Sequence, residues 1–246
     1  MPRFFLEVAY NGAAYGGFQK QENAVTIQGE IEKAMEVYHR RPVLLTGSSR
    51  TDAGVHAKQN FFHFDDSATE VEWQKCLYHL NAILPWDIVV QSVKEVSETA
   101  HCRFDATGRR YVYTTYSGKD PFLVGSGYYY PYPLNEEKLA IAAALILENT
   151  DFRAFSKKHT QVKHFDCRIT ESRWVRNGHI LEYRVEGNRF LRGMVRGLTG
   201  TMLRVGTGKM SMEQFKNLIK EGDANKVDFS VPACGLCLME VRYPQM

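Results

Sequence analysis

Nothing in these 246 residues is both long and apolar. The longest uninterrupted apolar run, Leu139–Leu147, falls far short of the ~20 residues needed to span a bilayer. Between Arg3 and Glu7 there is no long apolar stretch behind the positive charge, so a secretory signal is not expected. Cysteine is scarce and odd in number: Cys76, Cys102, Cys167, Cys234 and Cys237. Five scattered thiols suit a reduced, cytoplasmic compartment better than a disulfide framework. Cys234 and Cys237 form one CxxC with no second pair at zinc-ribbon or finger spacing. Two small apolar residues entering a C-terminal strand explain it better than a metal. Low-complexity segments and obvious linkers are also missing. What is present is an ordinary folded composition, 44% apolar and 24% charged, with 31 Lys+Arg against 28 Asp+Glu for a net charge of +3. This length makes one large domain or two smaller ones and can bury a core without staples.

The charge is unevenly spread. Residues 151–205 hold 12 Lys+Arg and 5 Asp+Glu, a local balance of +7 that leaves the remainder at −4. Such a gathering suits a polyanionic partner, although a solvated basic face would give the same count. Strand and helix patterns alternate along the chain. Strands are expected at Arg3–Tyr10, Ile88–Val93, Arg109–Tyr116 and Leu236–Tyr243. Helices are expected around Ile27–Tyr38, over Trp73–Leu84 before Pro85, from a cap at Asn135 to Glu148, over Phe190–Leu203, and from a Ser211/Gln214 capping box to Gly222. Ile169–Glu186 reads as a hairpin turning at Asn177-Gly178. This order predicts an α+β fold of two domains, residues 1–105 and 106–246, with largely antiparallel sheets flanked by helices.

Three segments carry possible chemistry. Thr46–Ala57 (TGSSRTDAGVHA) is expected to be a loop between apolar stretches. Arg50 and Asp52 would share a face if it is extended, although a plain Asp-x-Gly turn accounts for the stretch as well. Arg109–Tyr113 (RRYVY) interleaves cations with rings, as RNA-binding strands do, but tyrosines on a core face would look the same. In Gly187–Arg204, the spacing i, i+3, i+7 puts Arg189, Arg192 and Arg196 on one helical stripe. Gly193, Gly197 and Gly200 supply a face without bulk, at roughly 1 kcal/mol per glycine relative to alanine. Lys157, Lys158 and His159 form a basic loop able to grip phosphate, and His56 and His101 read as structural hydrogen-bonders.

Taken together, these segments resemble the tRNA pseudouridine synthase A family. The matching blocks run in family order: Tyr10–Gln19 (YNGAAYGGFQ), Thr26–Glu30, Arg50–Ala57 (RTDAGVHA), Asn81–Pro85, His101–Ala106 (HCRFDA), Arg110–Tyr113, Asp151-Phe152 with Phe155, Phe190-Leu191 with Met194–Arg196, and Gly235-Leu236 with Val241 and Tyr243. The chain departs from the family pattern at Ser49, where glycine is usual, at Gly193, where histidine is common, and at Phe18, where tryptophan is usual.

The resemblance implies isomerisation of uridine to pseudouridine in the anticodon stem-loop of tRNA, by a cytoplasmic homodimer that needs no cofactor. It also implies a basic active-site cleft between the two domains. By residue-for-residue transfer, Asp52 is the catalytic aspartate and Arg50 enters the space left by the displaced nucleotide. Tyr111 stacks on the target base and Arg196 pairs with Asp52. A carboxylate must stay ionised near the sugar, and burial penalises that charge unless a cation stands beside it. A base inside a helix is unreachable until it leaves the stack. A catalytically inactive RNA-binding protein of the same fold, or an enzyme using Asp52 on a small phosphorylated substrate, are the competing expectations.

Overall fold

The computed structural model describes residues 1–157 and 164–244. The chain forms two compact units, Met1–Thr107 joined by the chain from Leu238 on, and Gly108–Cys237. Both combine antiparallel sheet with helices, the α+β class read from the sequence.

In the first unit, β1 (Arg3–Tyr10) is the middle strand, flanked by β3 (His56–Asp65) and β4 (Ile88–Val96), both antiparallel to it. The two-residue β2 (Thr46–Gly47) pairs antiparallel with β3. Strict alternation divides the sheet's faces. Phe4, Leu6 and Val8 register with Phe64, Phe62 and Asn60. On that face Phe4 stacks on Phe64 with ring centroids 5.5 Å apart, and Trp73 from α2 meets Phe64 edge-on. Phe5 and Phe61 occupy the other face, where the Tyr243 ring packs edge-on against each. Each fully buried ring of this kind contributes roughly 1.5–3 kcal/mol. Helix α1 (Ile27–His39) starts where the Thr26 hydroxyl accepts from Gly29 N–H. Helix α2 (Glu70–Ile83) starts with a Thr69/Glu72 capping box and packs on β4.

In the second unit, β5 (Gly108–Tyr116), β8 (Ile180–Gly187) and β7 (Ile169–Asn177) form an antiparallel sheet, and the short β6 (Tyr128–Tyr129) runs parallel to β5. Asn177 pairs with Ile180, so Gly178 and His179 make the two-residue hairpin loop, one residue later than the Asn-Gly reading. Gly178 supplies the positive φ of 57° at its first position. Helix α3 (Glu136–Leu147) begins at the Asn135 cap and packs on β7 and on α4. Helix α5 (Met212–Glu221) has the expected Ser211/Gln214 box and ends at left-handed Gly222. Strand β9 (Leu236–Arg242) closes the element order.

Helix α4 (Met194–Gly206) starts four residues later than the periodicity suggests. Gly193 is its N-cap, with φ +73°, and a left-handed residue cannot continue an α-helical ladder. Arg189 and Arg192 therefore lie ahead of the helix. The expected arginine stripe does not form, and Arg196 alone of the three is helical. The other two glycines do permit close approach. A Cβ on Gly197 would sit 2.7 Å from the Phe229 ring, and one on Gly200 would sit 2.3 Å from the Asp228 carbonyl oxygen. Because that neighbour is backbone and cannot rotate away, Gly200→Ala is expected to destabilise the protein by about 2 kcal/mol in urea unfolding. A change within ~0.5 kcal/mol, the range of ordinary surface substitutions, would contradict this packing.

Candidate active site

The Ser48–Val55 loop is held to the sheet by a buried polar network centred on Asn60. In phase with Phe62 and Phe64, Asn60 points to the helix-covered face and is completely buried. Its Nδ2 donates to Ser49 O (2.9 Å) and to Tyr10 Oη (3.1 Å), and its Oδ1 accepts from the N–H groups of Ser49 (3.3 Å) and Phe61 (2.9 Å). The amide thus uses both donors and both acceptor lone pairs. A register shift between Val8 and Tyr10 lies beside it, the kind of irregularity that re-aims a side chain at a site. Tyr10 Oη is in turn hydrogen-bonded to Thr51 Oγ1 at 2.7 Å.

Thr51 is tethered on its backbone too, its carbonyl accepting from Phe18 N–H at 3.1 Å. Gly17, at φ +116°, lets the loop pass so close that a Cβ there would lie 3.2 Å from Thr51 O. The chain then turns: Val55 N–H donates to Asp52 O at 3.2 Å, and Gly54 takes φ +78°. Behind the turn, Gly12 N–H donates to His56 Nδ1 at 3.0 Å, which gives His56 a structural role. Burial alternates along the segment, with Thr51 inside, Arg50 exposed and Asp52 half-buried. The Asp-x-Gly turn is real, and it sets an exposed guanidinium and a half-buried carboxylate on either side of one anchored threonine.

Tyr111 and Arg196 belong to the second unit. On β5, Tyr111 is half-buried with its ring edge-to-face against Phe190, centroids 5.2 Å apart at 82°. Arg110 forms an ion pair with Glu186 at 3.1 Å. Tyr113 is a core residue instead. It is fully buried, donates to Pro232 O at 2.7 Å, and burial pushes its phenol well above the usual range. Arg196 sits in the first turn of α4. Its Nε and Nη2 donate to Val231 O at 3.0 and 2.7 Å, and Nη2 also reaches Phe229 O at 3.4 Å. Those carbonyls fix the fork and offset the poor placement of a cation at a helix N-terminus. Lys157 N–H donates to Arg192 O, while Lys158 and His159 lie outside the described residues.

The sequence reading missed Asn60, the Tyr10 hydroxyl and the hydroxyl of Thr51. One signal was available: an asparagine in step with Phe62 and Phe64 on a core face has to find partners for its amide. Among the described residues, His63, His101 and Cys102 are the group whose donor atoms lie close enough to hold a metal, within 4.8 Å of one another. Their present bonds explain them structurally. His63 Nδ1 is 3.2 Å from Cys102 Sγ, and that thiol also reaches Thr46 O at 3.1 Å, tying β2 and β3 to the 101–105 turn. Burial raises the Cys76 and Cys167 thiols to about 11, which makes them poor nucleophiles.

Comparison with known proteins adds an independent line. A family model described as tRNA pseudouridine synthase matches residues 7–105 and 142–244. A tRNA pseudouridine synthase A of Porphyromonas gingivalis is 42% identical over 248 residues, covering 99% of this chain and 98% of that protein. The protein of the same name from Parabacteroides distasonis is 40% identical, covering 100% and 97%. The one from Staphylococcus saprophyticus is 37% identical, covering 97% and 90%.

His63 gives this region a pH dependence. Burial first, then repulsion from the neighbouring His101 and Arg3 side chains, lower its imidazole from 6.5 to about 4, against the opposing pull of Asp65 and Asp105. Below pH 6.5 the unfolded chain takes up a proton that the fold resists. Stability is therefore present above pH 6.5 and lost progressively between 6.5 and about 4, by up to ~3 kcal/mol. Urea unfolding across that window should show a fall in the native protein that His63→Phe flattens. Parallel profiles would contradict this.

Proposed function

The chain belongs to the tRNA pseudouridine synthase family, whose members isomerise uridine to pseudouridine in tRNA, and we propose that it acts on the anticodon stem-loop with Asp52 as the catalytic carboxylate. The reaction breaks the C1′–N1 glycosidic bond, turns the uracil, and joins C5 to C1′. The C5 hydrogen leaves to solvent and N1 takes up a proton, so every other atom is retained and no redox or group-transfer partner is needed. An ionised carboxylate beside the sugar serves this chemistry as a nucleophile at C1′ or as a base.

The observation that carries the reading is the tethered Arg50-Thr51-Asp52 segment, in which the middle residue is anchored while Arg50 is exposed and Asp52 half-buried. Arg50 is assigned to the gap that the displaced nucleotide leaves, which partly offsets the lost stacking. Tyr111 is assigned to the detached uracil, because a flat ring holds a stacked base without fixing its rotation. The family resemblance gives Arg196 the role of counter-cation to Asp52, and its fork, already oriented by two carbonyls, suits that task. A cytoplasmic homodimer is part of the same proposal. Among the described residues no helix is long and apolar enough to cross a membrane.

Tritium release from tRNA labelled at uridine C5 tests the proposal, since joining C5 to C1′ expels that hydrogen. The native protein is expected to release it, and Asp52→Asn to be slower by at least roughly a thousandfold while still binding tRNA. Tight binding by the native protein without release would favour an inactive RNA-binding protein instead.

A further inference from the structure

A second surface of the first unit has the composition of a nucleotide site. A cavity of about 330 Å³ opens between the 101–105 turn and β2, with Arg50, His101, Arg103, Phe104, Gln19 and Thr46 among its lining residues. None of its lining side chains is acidic, and Asp52 does not line it. That volume is at the lower end of the roughly 300–1,000 Å³ typical of small-ligand sites.

Its walls are built in advance. The His101–Asp105 turn is closed by Phe104 N–H and Asp105 N–H on His101 O, both at 3.0 Å, and by His101 N–H on the Asp105 carboxylate at 2.7 Å. Cys102 points inward from this turn to Thr46 O and is completely buried. On the other side of it, Phe104 is 74% exposed, a large apolar ring left in water. The ring is not loose. His101 lies against it with centroids 4.2 Å apart, and the Arg103 guanidinium sits 5.8 Å above it. On the opposite wall Gly47 has the Phe18 ring so close that a Cβ would fall 2.3 Å from it, so β2 cannot shift inward.

A ring 74% exposed, two guanidinium groups and a side-chain amide suit one chemistry: a flat base to stack, a phosphate to neutralise, and a base edge to hydrogen-bond. We infer that this cavity receives an unpaired nucleotide of the same tRNA, next to but distinct from the reacting uridine. Its base stacks on Phe104 and its phosphate lies between Arg103 and Arg50. The inference rests on the proposed function, because it needs an RNA strand passing Arg50 and Asp52. It adds that the strand is held on the Arg50 side by a second extruded base, so that recognition reads a neighbour of the target as well as the target.

The test uses the full-length protein, unmodified tRNA, and a set of tRNAs each with one abasic nucleotide in the anticodon loop. Phe104→Ala is expected to weaken tRNA binding roughly tenfold or more, and Phe104→Trp to restore it. Arg103→Gln is expected to reduce the slope of log Kd against log salt by about one, the signature of a lost phosphate contact. One abasic position should cost the native protein as much as Phe104→Ala does, and cost that variant nothing further. Native affinity and salt slope in both variants would overturn the inference. So would saturable binding of free uridine monophosphate that Phe104→Ala abolishes while tRNA affinity is unchanged, since that describes a small-molecule site. Absence of tritium release by the native protein counts against the proposed function. Normal release, with tRNA binding indifferent to Phe104 and Arg103, counts against this inference alone.

Discussion

A buried primary amide must satisfy all of its hydrogen-bonding groups or destabilise the fold, and Asn60 meets that demand with the loop that carries Asp52. Its partners are the two backbone groups of Ser49, the N–H of Phe61 and the hydroxyl of Tyr10, which continues to Thr51. Losing any of these would leave a desolvated polar atom, at a cost of about 1–3 kcal/mol. The loop cannot drift from the sheet without incurring that cost. Core satisfaction thus fixes the backbone from which Arg50 and Asp52 project. On the proposed role of Asp52 rigid framing matters, because a catalytic group misplaced by about 1 Å loses ~10²-fold in rate.

The two glycine-rich stretches serve a similar end by a different means. Gly12 and Gly17 let the opening segment come within contact of Val55 O and Thr51 O, so the loop is clamped from above while Asn60 holds it from below. In the second unit, Gly197 and Gly200 let the 227–231 segment lie on α4, and the carbonyls of Phe229 and Val231 in that segment grip the Arg196 fork. In each unit the absence of a side chain on one element brings backbone close enough to fix a charged residue on another.

Local features were legible in the sequence because their causes are local. Asn135, the Ser211/Gln214 box and Gly222 bound their helices through contacts within a few residues, and the β7–β8 hairpin follows from a glycine at the turn. The α+β class and the family membership also came through, carried by ordered motifs spread over nearly the whole chain. The start of α4 did not. Apolar spacing continues back through Leu191, and nothing in that spacing reveals that Gly193 takes a left-handed φ. The Asn60 network was invisible for another reason: its long-range partners, Ser49 and Tyr10, lie 11 and 50 residues away in sequence, and only the fold brings them together. His63 with Cys102, 39 residues apart, is a second case.

On the proposed function, the Tyr10–Asn60–Thr51 network positions Asp52 for chemistry, and Tyr10→Phe isolates it by deleting a single oxygen. Single-turnover isomerisation of tRNA, measured alongside tRNA affinity, is the most direct test. The expected result is an unchanged Kd with a chemical step slower by roughly 10- to 100-fold, because substrate contacts survive while the carboxylate loses its frame. A native rate in a folded Tyr10→Phe protein would contradict it, and would mean that Asp52 is positioned by something other than the buried hydroxyl beneath it.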